Sequence, residues 1–243
     1  MHHVVLERWS RGASPLHRRD PRAKMIALLV FLIVLATAQR SLPVLSLALL
    51  FLLLGALRWA RLPLLGALAR ACIVLPFTVV FAAAAWISGD PARGLSLLLK
   101  SYLSALAVLL VVSTTALPVL LRGLEMTGAP RFLLMVAQFL YRYLFVISEE
   151  AQHMAKSAAS RGASVRGLVG NGARFRAAAG ALAVLFARSY GRAEQIHRAM
   201  LARGFGGHFH PLFELRFQAR DAVFAFLGSL APLLLRVAVE RVL

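Results

Sequence analysis

The chain has 243 residues and 60% of them are hydrophobic, against about 45–50% in a soluble globular domain. A soluble chain of this length lacks the interior volume to hide so much apolar surface, and a single cysteine, Cys72, excludes a disulfide framework. The net charge of +18 would suggest nucleic acid binding in a soluble protein. We instead predict an integral membrane protein that binds no nucleic acid, because the basic residues lie in blocks between apolar runs.

Five apolar runs follow a charged leader, and a full crossing of the bilayer takes about 20 mostly apolar residues. Two runs are shorter than that and three are closer to it. In chain order they cover 25–38, 43–57, 71–88, 101–121 and 222–239. Because the first run starts only at Met25, behind a long charged segment, we do not expect a cleavable signal peptide. The pattern predicts an all-α integral membrane protein with about five transmembrane helices.

The basic residues set the expected orientation, because short cytoplasmic segments of membrane proteins collect Lys and Arg. Six of them lie in 1–24 and eleven in 150–220, so we expect both blocks inside the cell and the C-terminus outside. Three regions follow. A membrane region with four spans covers 1–121, a cytoplasmic or interfacial region covers 122–220, and a C-terminal transmembrane helix covers 221–243.

One further stretch, 132–147, is apolar except for Gln138 and Arg142. A sixth crossing there would move the block of eleven basic residues to the outside. We therefore predict an interfacial or partly embedded helix that runs into the cytoplasm, and the sequence does not choose between these two placements.

The basic region predicts two helices that end alike. The first starts after Pro130 and stops at Arg161, the second starts near Arg174 and stops at Arg203, and a glycine follows each arginine. A glycine closes a helix in the left-handed conformation, and an arginine suits the negative end of the helix dipole. Two ordinary helix ends would explain this pattern. An arginine with no carboxylate nearby and only small neighbours also suits insertion into a groove of another protein.

Four short motifs occur along nearly the whole chain. They are SPLHRRDPRAK at 14–24, Ser113-Thr114-Thr115 running to Leu120-Leu121, Tyr141-Arg142-Tyr143-Leu144 with Glu149-Glu150, and AMLARGF at 199–205. In order and spacing they resemble the transmembrane T component of energy-coupling factor (ECF) transporters, the CbiQ/EcfT family, and in particular its cobalt-type CbiQ branch. Two positions depart from that family: Ser160 stands where Ala is usual, and Gly206-Gly207 stands where an acidic residue is frequent.

The resemblance implies a scaffold without catalytic chemistry of its own. Two coupling helices in the cytoplasm would insert their arginines into grooves on two ATP-binding ATPase subunits. ATP-driven closure of these subunits would then reorient a separate substrate-capture membrane subunit, which would be CbiM-like and possibly accompanied by a small CbiN-like subunit. The ATPase-coupling residues implied in this chain are Ser160, Arg161, Gly162, Ala202, Arg203 and Gly204.

The resemblance also implies cobalt uptake, a link to cobalamin biosynthesis and a multi-pass location in the bacterial inner (plasma) membrane. The metal follows from the branch alone, so nickel or a vitamin stays an alternative substrate. A stand-alone secondary carrier or channel is the alternative from a different class. A carrier transports by itself, whereas a coupling scaffold is inert without its ATPases.

No other motif predicts catalysis or cofactor binding. The glycine-rich stretches 167–172 and 204–207 lack the Lys-Ser/Thr of a phosphate-binding loop, so we predict no ATPase activity in this chain. The histidine pairs at 2–3 and at 208 and 210 lack the convergent ligands of a metal site, and we predict none.

Four ionisable residues near the apolar runs have structural interpretations. We expect Arg70 and Lys100 at span ends, where their side chains can reach the bilayer surface. Glu149 and Glu150 are expected to cap or pair within the basic region, with Arg142 as the candidate partner.

Overall fold

A computed structural model describes residues 9–10, 12, 14–38, 42–161, 172–207 and 217–242. Regular secondary structure in these ranges is helical and includes no strand, which confirms the all-α prediction. In chain order the α-helices are α1 (Pro21–Thr37), α2 (Leu42–Trp59), α3 (Leu64–Ala71), α4 (Leu75–Ile87), α5 (Pro91–Ser113), α6 (Leu117–Met126), α7 (Arg131–Ser160), α8 (Gly172–Ala202) and α9 (Ala219–Val242). A 3₁₀ turn, Cys72–Val74, joins α3 to α4.

The chain forms two compact units. The first comprises Met1–Thr127 together with Glu214–Leu243 and contains α1 to α6 and α9. The second comprises Gly128–Phe213 and contains α7 and α8.

The core of the first unit is built on a leucine stripe. Leu45, Leu49, Leu53 and Leu57 recur every four residues on α2, so they share one face, and all are buried. They belong to the same buried cluster as Leu103 and Leu106 on α5. The outward faces are apolar as well, and large hydrophobic residues are widely exposed there. A helix that is apolar on both its inner and outer faces is typical of a membrane protein.

Four helical stretches are long and apolar enough to cross a membrane, judged by length and composition within the described residues. They are Leu64–Ile87, Pro91–Ser113, Arg131–Ser160 and Ala219–Arg241. Three of them overlap the three longer runs predicted from the sequence. The two shorter runs predicted from the sequence are helices too. Both are shorter than the four stretches, since α1 has 17 residues and the apolar part of α2 is Pro43–Trp59.

The predicted span at 101–121 is wrong in its bounds. α5 begins ten residues earlier, at Pro91, where the Asp90 carboxylate accepts a hydrogen bond from the Arg93 N–H at 3.0 Å and caps the helix. It ends at Ser113, and α6 starts anew at Leu117. Pro118 lies in the first turn of α6, where the N–H that proline lacks has no partner within the helix, so it favours a new helix start there.

Lys100 therefore lies inside α5 and not at a span end. Its ammonium donates a hydrogen bond at 2.8 Å to the Ala36 carbonyl in the last turn of α1. The last four carbonyls of a helix have no partner within the helix, so Lys100 supplies one for α1.

The second unit contains the two longest helices of the described chain. α7 has 30 residues and α8 has 31, and both end where the sequence predicts, directly before Arg161 and Arg203. α7 also starts directly after Pro130 as predicted. The stretch predicted to be interfacial, 132–147, is the first half of α7, and by length and composition this helix could cross a membrane.

Candidate functional site

The first arginine end is the C-terminus of α7. The Arg161 N–H donates to the Ala158 carbonyl at 3.2 Å, and the Ser160 hydroxyl donates to the Ser157 carbonyl at 2.9 Å. Ser160 and Arg161 are both exposed. These bonds satisfy carbonyls of the last turn and leave the Arg161 side chain at the helix end. Gly162, the third predicted residue here, lies outside the described residues.

The second arginine end is the C-terminus of α8, which closes in a Schellman motif. The Gly204 N–H donates to the Leu201 carbonyl at 3.0 Å, and the Phe205 N–H donates to the Met200 carbonyl at 3.1 Å. Gly204 has φ +75°, so the predicted left-handed conformation is confirmed. Ala202 and Arg203 are exposed. The turn leaves Arg203 at the very end of the helix.

The same motif closes α2 without glycine. There the Leu62 N–H donates to the Leu57 carbonyl at 3.1 Å, and the left-handed residue is Arg61, with φ 55°. A side chain in this conformation costs about 1–2 kcal/mol. A glycine at 204 avoids that cost at the end of α8.

Neither Arg161 nor Arg203 makes an ion pair with any residue that the structure describes. Two other arginines of α8 do have carboxylate partners: Arg188 pairs with Glu150 and Arg198 with Glu194. In the described part of the second unit, the carboxylates pair with side chains within α7 and α8. The arginine at each helix end has no carboxylate partner there.

One ion pair connects the two helices. An Arg188 guanidinium nitrogen lies 2.7 Å from a Glu150 carboxylate oxygen. Glu150 therefore pairs within the basic region, as predicted, but the candidate partner Arg142 is wrong. Glu149 lies 3.8 Å from His153 of its own helix, and the Arg142 guanidinium carbon lies 5.9 Å from the centroid of the Tyr143 ring.

Both arginine ends project well beyond that ion pair. Arg161 follows Glu150 by eleven residues and Arg203 follows Arg188 by fifteen, which at 1.5 Å per residue corresponds to about 16 Å and about 22 Å along the two helices. Rigid helices of this length can carry a displacement from one end to the other.

A second polar cluster lies in the first unit, and the sequence interpretation missed it. The Lys24 ammonium donates to the Thr114 carbonyl and to the Thr115 hydroxyl, both at 2.9 Å. All three residues are buried. Two of the four sequence motifs, the leader at 14–24 and Ser113-Thr114-Thr115, therefore contact each other. Ser113-Thr114-Thr115 contains no charged residue and lies about 90 residues from Lys24, so neither motif pointed to the other in the sequence.

Two aspartates complete this cluster. Asp20 caps α1 by accepting from the Arg22 N–H at 2.9 Å, and its own N–H donates to Asp221 in the first turn of α9 at 3.3 Å. Asp221 also accepts from the Gln218 N–H at 3.2 Å, and it lies 3.8 Å from Arg19. The cluster ties the starts of α1 and α9 to the end of α5. All of its groups lie at helix ends, as structural caps do.

The described residues contain no group of three or more His, Cys, Asp or Glu placed to hold a metal ion. The histidine pairs at 2–3 and at 208 and 210 lie outside the described residues. Cys72 is exposed at the 3₁₀ turn.

Together, the apolar helices and the two units define a multi-pass cell membrane protein with an all-α fold. The family model of the CbiQ cobalt transport protein matches residues 12–213. The chain belongs to the CbiQ family, and the predicted relation to the transmembrane component of ECF transporters is confirmed.

Two curated relatives extend over most of the chain. An energy-coupling factor transporter transmembrane protein, EcfT, of Bacillus selenitireducens is 25% identical over 84% of this chain and 84% of its own length. An uncharacterized protein of Methanocaldococcus jannaschii is 22% identical over 96% of this chain and 85% of its own length. The family is one of transporter membrane subunits, in which ATPase activity belongs to partner subunits.

Proposed function

We propose that this chain is the transmembrane coupling component of an ECF-type importer for Co²⁺. It would transmit ATP-driven motion of two ATPase subunits to a substrate-capture membrane subunit of the CbiM type, with or without a small CbiN-like subunit. Catalysis would belong to the ATPases, so the chain itself would not be an enzyme. One observation carries the proposal: two long helices of one unit end in the same way, in an exposed arginine that has no ion pair among the described residues.

The chemistry of the arginines supports contact with a protein groove. A guanidinium is planar and always charged, and it can meet a carboxylate through two parallel hydrogen bonds. Ser160 and Ala202 are small, so the end of each helix can approach a groove closely. Two such ends match a partner that is present in two copies, and Gly162 and Gly204 would complete the coupling residues.

The link between α7 and α8 supports a mechanical role. Arg188 pairs with Glu150 at 2.7 Å, and in this proposal that contact would help α7 and α8 to move together. If the two ATPases hold Arg161 and Arg203, their closure would shift both helices together.

The substrate rests on the description of the family as a cobalt transport protein. In this mechanism the capture subunit chooses the substrate, so nickel or a vitamin would change the partner and leave the coupling chemistry as it is. A stand-alone carrier would need no partner at all.

The decisive experiment expresses the chain in membrane vesicles with and without its ATPases and capture subunit and measures ⁵⁷Co²⁺ uptake. We expect uptake only with all subunits and only with ATP. The double variant Arg161→Glu/Arg203→Glu should abolish both ATPase co-purification and uptake. The matched control Arg176→Glu/Arg192→Glu reverses two exposed arginines of α8 that do not lie at helix ends, and it should retain both.

Two results would contradict the proposal. Uptake by the chain alone would identify a carrier, and equal damage in the control double variant would mean that bulk charge holds the ATPases. Uptake of Ni²⁺ but not Co²⁺ by the complete complex would keep the coupling role and correct the substrate.

A further inference from the structure

A half-open apolar cavity with basic residues at one end lies at the surface of the first unit, and its lining residues Phe51, Val223 and Leu227 are exposed. Its volume is about 690 Å³, within the ~300–1,000 Å³ of small-molecule sites. Helices α1, α2, α5 and α9 line it, and the lining is apolar except at one end. The basic residues there are Arg19, Lys24 and Arg220, and no acidic side chain lines the cavity.

The polar residues and the aromatic residue of the lining mark the same end of the bundle. Lys24 lies in the first turn of α1 and Arg220 in the first turn of α9, while Trp59 is the last residue of α2 and Thr114 caps α5. In the orientation predicted from charge, all of these are cytoplasmic ends. The Trp59 ring lies 6.2 Å from that of Phe224, and tryptophan is enriched where the bilayer meets water.

The depth of the cavity corresponds to one leaflet. Its lining on α9 runs from Arg220 to Ala231, about 16 Å at 1.5 Å per residue. Half of a hydrocarbon core of about 30 Å has nearly the same length. Small lining residues such as Gly55 and Ala56 leave space for a hydrocarbon chain, and a Cβ at Gly55 would meet no atom within 4 Å.

The three basic residues at this end of the cavity differ in whether they already have a polar partner within the chain. The Lys24 ammonium is held by Thr114 and Thr115, and Arg19 lies 3.8 Å from Asp221. Arg220 is exposed and pairs with no carboxylate of the described chain. Arg220 is therefore the group best placed to receive an anionic head.

We propose that this cavity binds an anionic phospholipid of the cytoplasmic leaflet, with one acyl chain between α1, α2, α5 and α9 and the phosphate at Arg220. Basic pockets between transmembrane helices on the cytoplasmic side are a recognised way of binding acidic lipid heads. The lipid would fill a space that the helices themselves leave empty. This inference does not depend on the transported substrate or on the ATPases.

The test titrates the purified, delipidated full-length chain in a neutral detergent and follows bound lipid by native mass spectrometry. The probes are phosphatidylglycerol and phosphatidylcholine with identical acyl chains, and inorganic phosphate is the third arm. We expect one phosphatidylglycerol to bind, with at least about tenfold preference over phosphatidylcholine, since each basic residue near the surface favours an acidic lipid by a few-fold. Phosphate should not compete at millimolar concentration.

Two variants separate the head site from the chain site. Arg220→Glu should remove the preference for phosphatidylglycerol, and the control Arg241→Glu, an exposed arginine in the last turn of the same helix, should keep it. Gly55→Leu should weaken both lipids alike by filling the cavity, because a Cβ at Gly55 meets no atom within 4 Å and the backbone need not move. Its control is Gly180→Leu, which is equally free of neighbours and lies on α8.

An unchanged preference in Arg220→Glu would overturn the proposal, and so would normal lipid binding in Gly55→Leu. Competition by phosphate alone would show a free-anion site and overturn the lipid assignment. If Gly55→Leu fails to fold, the comparison of Arg220→Glu with Arg241→Glu decides, since both change exposed side chains.

Discussion

Arg161 and Arg203 have no ion pair within the described residues, so no carboxylate of that part of the chain competes with those of a partner. If each arginine lies in a groove, reversal leaves the groove's own carboxylate facing another one. Breaking a buried charge pair costs about 3–5 kcal/mol, which is roughly two to three and a half decades of affinity at ~1.4 kcal/mol per decade.

We expect Arg161→Glu and Arg203→Glu each to weaken ATPase binding by about 100-fold or more. Arg161→Lys and Arg203→Lys should keep most of the assembly and still impair uptake, because lysine retains the charge and loses the planar, two-pronged geometry. Binding of detergent-solubilised ATPase to each variant measures the first effect, and uptake in vesicles measures the second. Arg192→Glu is the control, because an exposed pair contributes only about 0–1 kcal/mol. A loss in Arg192→Glu equal to that in Arg203→Glu would disprove the role of the helix end.

Gly204 tests the shape of the same end. A Cβ at Gly204 meets no atom within 4 Å, so any effect of Gly204→Val comes from its φ of +75° and not from a collision. The left-handed conformation is strongly unfavourable for a β-branched residue, so valine at this position would distort the turn that follows Arg203. We expect loss of uptake with a normal amount of inserted protein. Gly191→Val, in the interior of α8 and equally free of neighbours, should transport normally. Normal uptake by Gly204→Val would show that the left-handed turn is not required.

At the scale of the helices, α5 packs closely against the backbone of α4 at Gly94. A Cβ at Gly94 would lie 2.9 Å from the Ala82 carbonyl oxygen and 3.1 Å from the Trp86 ring. Backbone cannot move aside as a flexible side chain can, so a larger residue must push the helices apart.

We therefore expect Gly94→Val to destabilise the chain by about 1–3 kcal/mol, the range for overpacked cores. Thermal denaturation in detergent, followed by tryptophan fluorescence, measures the change. Gly180→Val is the matched control, since a Cβ at Gly180 has open space, and its melting temperature should not fall. Equal melting temperatures for the two variants would contradict the close packing of α4 on α5.

Local signals were sufficient for the ends of α7 and α8. Pro130, the small residues of the last turns and Gly204 act within a few residues, so they can be recognised in sequence. The break after Ser113 depends on a distant residue as well as on Pro118. Lys24 binds the Thr114 carbonyl from 90 residues away, and no pattern of spacing reports that contact. The start of α5 could have been found from the Asp90-Pro91 pair, which is a local cap signal.

The candidate site was predicted only in part for the same reason. The arginine ends follow from local sequence, whereas the Glu150–Arg188 pair and the Lys24 cluster join residues far apart in the chain. Charge alone suggested Arg142 as the partner of Glu150. The helix-to-helix geometry that selects Arg188 appears only in three dimensions.

On the scale of the whole molecule, α1 is shorter than a membrane-spanning helix needs to be, and polar contacts at both of its ends explain why this is tolerated. At the start of α1, Lys24 donates to the Thr114 carbonyl at the end of α5, and near the end of α1 the Ala36 carbonyl accepts from Lys100. The apolar part of α1 between Lys24 and Ala36 is therefore about 18 Å long. That is less than a hydrocarbon core of about 30 Å. Phe31, Val34 and Leu35 are buried, so other helices of the unit cover much of α1, and its polar ends find their partners inside the protein.

The orientation of the chain decides whether the arginine ends can reach cytoplasmic ATPases at all. In a Cys72→Ala background, which removes the exposed native thiol, we expect Ser157→Cys to react with a membrane-impermeant maleimide only from the cytoplasmic side. Ser88→Cys, at the exposed end of α4, should react only from outside. Right-side-out and inverted vesicles labelled in parallel give the two readings, and each cysteine is the control for the other. If α7 crossed the membrane, as its length allows, Ser157→Cys would be labelled from outside. Arg161, four residues further on, would then lie on the side without ATP, and the coupling role would be ruled out.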